Sequence, residues 1–281
     1  MTADETLLSP TSRTTVVRGR QRAQSERTAL LDVLRSARLC HMGVLVGNVP
    51  RVLPTVFGLD PEGPDRAGTM YLHGSVASRS LVEAPDQDIC VTVTVVDGLV
   101  LARSAFHHSM NYRSAVIVGR PRRVEDEDER ARALDAIVDQ VVPDRSTHLR
   151  AHTRKELAAT SVLALPLYEA SVKARTGGPI DDEADIAAGD VWAGVIPTGE
   201  YVGTAERGED VEPNLDVPDH VLALSRVLNR FLSTVRKIWL ASHAGICRPN
   251  ARHPCARLLR PGQMPAVTRF TCRFACVGLV A

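Results

Sequence analysis

The sequence predicts a mainly β fold of the α+β class, an antiparallel sheet or barrel with a few helices packed on it. Three observations predict it. Seven or so strand-like runs recur between residues 38 and 198, and short turn-forming stretches join most of them. The regular strand–helix alternation of a parallel sheet is absent. So are the G-x-G-x-x-G and G-x-x-x-x-G-K-[ST] loops that open such folds.

The elements follow in order. Residues 1–24 are polar and read as a loose N-terminal segment. From Ser25-Glu26 a helical pattern begins, with Leu30, Leu31, Val33 and Leu34 on one face and Ser25 as the cap. RLCHMGVLV (38–46) reads as a strand, Gly47-Asn48 as a hairpin turn, and PRVLPTVFGL (50–59) as the return strand. DPEGPDRAG (60–68) is turn chemistry, and GTMYLHG a short strand. Residues 76–84 allow one or two helical turns. DICVTVTVV (88–96), Asp97-Gly98 and LVLARSAF (99–106) read as a second hairpin, and YRSAVIVGRPRRV (112–124) as a long strand. EDEDERARALDAIVDQVV (125–142) is an amphipathic helix whose acidic first turn suits the positive helix N-terminus. A short helix (TRKELAAT), an apolar run (161–175), a loop and a final strand, VWAGVIPT (191–198), complete the domain.

Composition bounds the function classes. The chain has 281 residues and a formal net charge of +1, so charge gives no argument for nucleic acid. No apolar run reaches the ~18 residues of a membrane span, and the N-terminus lacks the apolar core of a secretory signal. A cytoplasmic protein is expected, with no membrane or nucleic-acid partner. Cys40 and Cys90 sit in strand-like runs and read as buried free thiols. All 33 Asp and Glu lie before residue 220, while residues 220–281 hold ten Lys and Arg and four Cys. That tail reads as a poorly ordered basic extension or an out-of-frame one. Its C-x5-H-x-C-x16-C-x3-C spacing lacks the paired thiolates of common zinc sites, so no metal is expected.

The stretch HGSVASRSL (73–81) raises the sharpest question. Ser75, Ser78 and Ser80 offer hydroxyls, Arg79 a guanidinium fork, and a strand-to-helix turn backbone N–H groups. Together they make a seat for a phosphate; the bland alternative is a polar turn.

HGSVASRSL, the block DGLVLARSAFHHSMNYRSAVIVG (97–119), VKARTGGPIDDEAD and WAGVIP together resemble the FMN-binding split-barrel proteins of the pyridoxamine 5′-phosphate oxidase superfamily, in the flavin-nucleotide-binding, nitroimidazole-resistance-like branch. The resemblance runs from about residue 14 to about residue 215. It implies a six-stranded antiparallel Greek-key split barrel over residues 25–215, working as a homodimer with FMN between the subunits. It implies that Ser78 and Arg79, with Ser75 nearby, hold the flavin phosphate. Ser80 stands where the oxidase has a lysine. Arg51 resembles an arginine that faces the flavin, Tyr112, Arg113 and Ser114 lie on the strand approaching from the second subunit, and Trp192 resembles a tryptophan near the ring. The expected function is an FMN-dependent oxidoreductase acting on a small molecule, with NAD(P)H a candidate donor. True pyridoxamine-phosphate oxidase activity is not expected, because no R-L-H-D-R-like run follows WAGVIP. The alternatives are a non-catalytic flavin-binding protein used for storage, sensing or regulation, and a split barrel that uses haem or a deazaflavin.

Overall fold

Ten strands form one hydrogen-bonded antiparallel sheet in the computed structural model, which describes residues 7–8 and 11–224. The acid-free tail from residue 225 lies outside the described residues. The strands run β1 (Ala23–Gln24), β2 (Leu39–Val46), β3 (Val49–Asp60), β4 (Thr69–Ser75), β5 (Ile89–Leu101), β6 (Ser109–Gly119), β7 (Arg122–Arg123), β8 (Thr160–Pro166), β9 (Ala170–Arg175) and β10 (Gly194–Pro197). Their order is β1-β9-β6-β5-β2-β3-β4-β8-β7, and β10 adds to β5. Five helices flank the sheet: α1 (Arg27–Arg35), α2 (Arg79–Glu83), α3 (Glu127–Val141), α4 (Arg154–Ala159) and α5 (Glu183–Ala188). The expected fold class holds, and the strand count exceeds six partly through the short β1, β7 and β10.

Local chemistry explains the turns. Gly47 and Asn48 have φ of 56° and 63°, the paired left-handed residues that match the twist of a two-residue hairpin. β3 then pairs with β2 over Val49–Val56 and with β4 over Phe57–Asp60, so one long strand joins two parts of the sheet. Asp97-Gly98 is not a hairpin. β5 passes straight through it, with a register shift between Val96 and Gly98 against β6, which is a β-bulge. The physical reason is that β6 and β10 both extend past this point. Gly98 pairs with Asn111 and Pro197, and a Cβ there would lie 3.2 Å from the Ile196 carbonyl oxygen. The reversal of the chain falls instead at 102–108, before β6.

Helix ends also follow chemistry. Glu26, not Ser25, occupies the cap position of α1. The Asp126 carboxylate accepts from the Glu129 N–H at 2.7 Å at the start of α3, and Thr153 and Glu156 form a reciprocal capping box on α4. α3 lies so close to β3 that a Cβ on Gly58 would sit 2.9 Å from the Ile137 backbone nitrogen.

The core is built from α1 (Leu30, Val33, Leu34) against Phe57, Met70, Leu72, Val91, Val93, Ile117, Leu163 and Leu165, all essentially inaccessible. Each such side chain contributes about 1.5–3 kcal/mol of burial. A second cluster under α3 joins Tyr71, Val124, Ala133, Ile137 and Val162. Cys40 belongs to the first of these clusters and is buried as expected, its thiol pushed up to about 12 by desolvation, and Cys90 is half-buried.

Residues 11–24, read from composition as loose, are tied to the sheet. The Arg13 guanidinium pairs with Asp88 and Glu169, and Thr11 donates to Glu169 at 2.6 Å. Ala23 and Gln24 pair with Lys173 and Val172 of β9. Polar composition misled because the contacts are made by side-chain charges rather than apolar burial.

Candidate functional site

β4 ends at Ser75, and the chain turns directly into α2 with Ser78 at its cap position. The Ser78 N–H donates to the Ser75 carbonyl at 2.9 Å, and the Ser78 and Ser80 hydroxyls lie 2.9 Å apart. The Ser78 side chain makes no capping bond to α2. The strand-to-helix turn expected at HGSVASRS is therefore present, with the Ser78 and Ser80 hydroxyls in contact and the Ser75 hydroxyl accepting from the Ala77 N–H at 3.3 Å.

Arg79 extends toward the β2–β3 hairpin. Its Nη2 would be 3.2 Å from a Cβ on Gly47. Its Nε and Nη2 donate to Glu83 at 3.1 and 2.8 Å, and the other Glu83 oxygen accepts from the Gly47 N–H at 2.8 Å. These bonds, the Gly47 one foremost, hold the Glu83 carboxyl below the usual carboxylate range. The guanidinium is 71% exposed, and Nη1 has no bond among the described residues. Arg51 is exposed on β3 opposite Val44, three residues from the same hairpin turn. Arg79 thus reaches the β2–β3 turn, near which Arg51 stands, while Ser75 and Ser78 lie at the β4–α2 turn.

The second group lies elsewhere in the chain. Tyr112, Arg113 and Ser114 face Val96, Val95 and Thr94 of β5, beyond the short β2–β5 pairing at His41–Gly43. Arg113 makes a two-pronged bond to Asp97, 3.0 and 2.9 Å, and donates to Ser36 at 2.9 Å. It lines a cleft of about 520 Å³ with Arg38, Thr94, Asp97, Thr198 and Glu200. Of the residues singled out in the sequence, only Arg113 lines this cleft. Trp192 is exposed and folds its ring over Gly194, at the start of β10.

Several polar groups to which the sequence assigned no site role are held in specific contacts or buried. The Nδ1 of His73, on β4, is buried without a hydrogen-bond partner, and burial pushes that imidazole below its ordinary pKa. It therefore stands neutral near pH 7. The Nε of Arg103 and the Oγ of Ser104 are likewise buried and unpartnered. Arg103 is otherwise fixed by the nearly inaccessible Asp181 at 2.7 Å, and His107 reaches Asp182 at 3.2 Å. Arg175, buried, binds Asn111 and the Gly178 carbonyl. The ARSAFHHSMNYRS block thus fastens the loop after β9. No periodicity reports such loop-to-loop pairing; only the density of Arg, His and Asp in two distant loops hints at it.

Among the described residues no helix is long and apolar enough to cross a membrane, and no cluster of three or more His, Cys, Asp or Glu is disposed to hold a metal ion.

A family model described as pyridoxamine 5′-phosphate oxidase matches residues 26–174. Among solved structures, the flavocytochrome Anf3 from Azotobacter vinelandii is 38% identical with a TM-score of 0.70, over 77% of this chain and 98% of that one. The FAD and heme binding protein from Mycobacterium smegmatis is 35% identical with a TM-score of 0.66, over 72% of this chain and 96% of that one. No curated protein matches the chain.

Proposed function

The chain belongs to the pyridoxamine 5′-phosphate oxidase family, and from that membership we propose that it is a flavin- and haem-binding redox protein. The observation that carries the reading is the likeness to a flavocytochrome over 98% of that protein's chain at 38% identity. The flavin is FAD, as in the name of the 35% identical relative. FMN, which the sequence resemblance implies, is the alternative.

The residues fit a phosphate-bearing flavin. Ser75, Ser78 and Arg79 stand at the β4–α2 turn, and Arg79 reaches the β2–β3 turn, near which Arg51 stands. Arg79 uses two of its nitrogens on Glu83 and keeps Nη1 for an anion, since a guanidinium carries five N–H donors. Glu83 thereby aims the fork while leaving part of it available. Within one chain the Tyr112–Ser114 stretch of β6 is separated by β5 from the β2–β3 hairpin that Arg79 reaches, so a site that uses both sets is built by two copies.

A homodimer also suits the exposed face of the sheet. Ile196, Leu99 and Met110 stand directly opposite one another across β10, β5 and β6. All three are 40–47% exposed, a continuous apolar row of the kind that marks contact surfaces. Sedimentation of the purified protein is expected to give the mass of two chains.

The residues fit a haem through His73. A neutral imidazole with a ring nitrogen that no other group engages is able to serve as an iron ligand. Bound flavin would supply two-electron chemistry and haem one-electron chemistry; the protein's part is to hold, orient and shield both.

The test is the cofactor content of purified protein. Mass spectrometry of the released flavin is expected to give FAD. Arg79→Ala is expected to weaken flavin binding by about 1.5–3 kcal/mol, the range of a charged hydrogen bond, while sparing haem. His73→Ala is expected to remove the Soret band and spare the flavin. A folded wild-type protein that takes up neither cofactor overturns the proposal. Retained haem in His73→Ala overturns the ligand assignment.

A further inference from the structure

Residues 18–22, Arg-Gly-Arg-Gln-Arg, put three guanidinium groups on one short loop at the edge of the sheet. Arg18 and Arg20 are exposed and Arg22 is half-exposed. Among the described residues none of the three makes an ion pair, whereas Arg13, Arg38, Arg79, Arg103, Arg113, Arg122 and Arg150 all do. Three charges left unneutralised together form a local positive field.

The loop is held in place. Gly19 adopts a left-handed φ of 68°. Residues 20–22 form a single 3-10 turn that runs into β1. Lys173 of β9 donates to the Arg18 carbonyl at 3.1 Å and brings a fourth positive charge beside it. A side chain on Gly19 would meet the Lys173 Nζ at 3.5 Å. The arginines are therefore presented on a fixed turn, so docking onto them orders little additional chain.

Position gives this surface a purpose. Lys173 stands opposite Ser114 of β6, about one strand spacing of 4.8 Å away. Ser114 belongs to the strand group that the proposed flavin site draws on. We infer that the 18–22 loop with Lys173 is the docking surface for an acidic electron-carrier protein that feeds the flavin. This inference rests on the proposed flavin reading. The carrier is oxidised by one electron at each docking, and two successive dockings with two protons from water reduce one flavin. A nucleic acid is the weaker occupant, because four charges on one edge neutralise few phosphates along a strand.

Two measurements separate this inference from the flavin reading. The first is binding alone: titration of the full-length protein with oxidised plant-type ferredoxin, an acidic one-electron carrier, at low and high salt. Binding is expected at low salt and loss of it at high salt. Arg18→Glu/Arg20→Glu/Arg22→Glu is expected to abolish it, and the milder triple glutamine variant to weaken it. The second is stopped-flow reduction of the bound flavin by reduced ferredoxin. The triple glutamate variant is expected to slow it about tenfold or more, within the range of electrostatic steering, with reduction by dithionite unchanged. Wild-type binding that ignores salt, variants that bind equally well, or tighter binding of single-stranded DNA than of ferredoxin would overturn the inference. Salt-dependent ferredoxin binding to a protein without flavin would support the surface and sink the flavin reading instead.

Discussion

At the scale of single residues, His73 carries the most chemistry for its size. Its imidazole is held below the ordinary value by burial, so below pH ~6.5 the unfolded chain binds a proton that the folded chain refuses. Folding stability therefore falls as pH drops from about 6.5 toward the lowered folded value, and is fully present above that window. Denaturation midpoints measured at pH 7.5 and pH 5.5 are expected to differ more for the wild type than for His73→Gln. Residue types were legible in the sequence: the serines and Arg79 do stand at a strand-to-helix turn. Their partners were not. Nothing in HGSVASRS shows that Glu83 and the Gly47 N–H meet the same guanidinium, because Gly47 comes from a turn more than thirty residues away. His73 was passed over for the same reason, since burial of one ring nitrogen is a property of packing.

At the scale of elements, strands and helices were legible wherever a period or a cap announces them. The Gly47-Asn48 turn, α3 with its acidic first turn, and the capped α4 are where the residues place them. The Asp97-Gly98 hairpin failed because a glycine after an aspartate serves a bulge as well as a turn, and only the partners of β5 decide between the two. The run 161–175 divides into β8 and β9, with Leu167 and Glu169 between them fastened to Gly68, Arg13 and Thr11. Gly58 supplies the clearest test at this scale. Gly58→Val would push α3 off β3, since a Cβ there would already meet helix backbone, the Ile137 nitrogen at 2.9 Å and the Ala136 carbonyl carbon at 3.0 Å, as well as the Ile137 Cγ1 at 2.9 Å. A loss of about 1–3 kcal/mol is expected, read as a fall in the denaturant midpoint, with flavin affinity altered less than stability.

At the scale of the whole molecule, the described core residues all lie between Leu8 and Val172. A chain ending at Asp219 is therefore expected to fold, with a melting temperature within a few degrees of the full-length value and cofactor content unchanged. His220 would be lost with its stacking on His148 at 4.0 Å, an edge contact outside the core. Insolubility of the shortened chain would show that the basic extension supports the fold. The architecture itself was visible from strand number and turn chemistry, but the sheet order was not. β1 joins β9, and β10 joins β5, across long stretches of chain that no local pattern reports.

That closing pattern bears on how the molecule is made. While the polypeptide is still being synthesised, the Gly98–Leu101 end of β5, beyond the reach of β2, waits with one flank bare for roughly a hundred residues until β10 arrives to cover it, and such distant pairings are slow to find. An incomplete product released before residue 194 would expose a row of unpaired amides and carbonyls, a template for self-association. Ribosome-bound chains stalled at successive lengths are expected to resist protease only once β10 has cleared the exit tunnel.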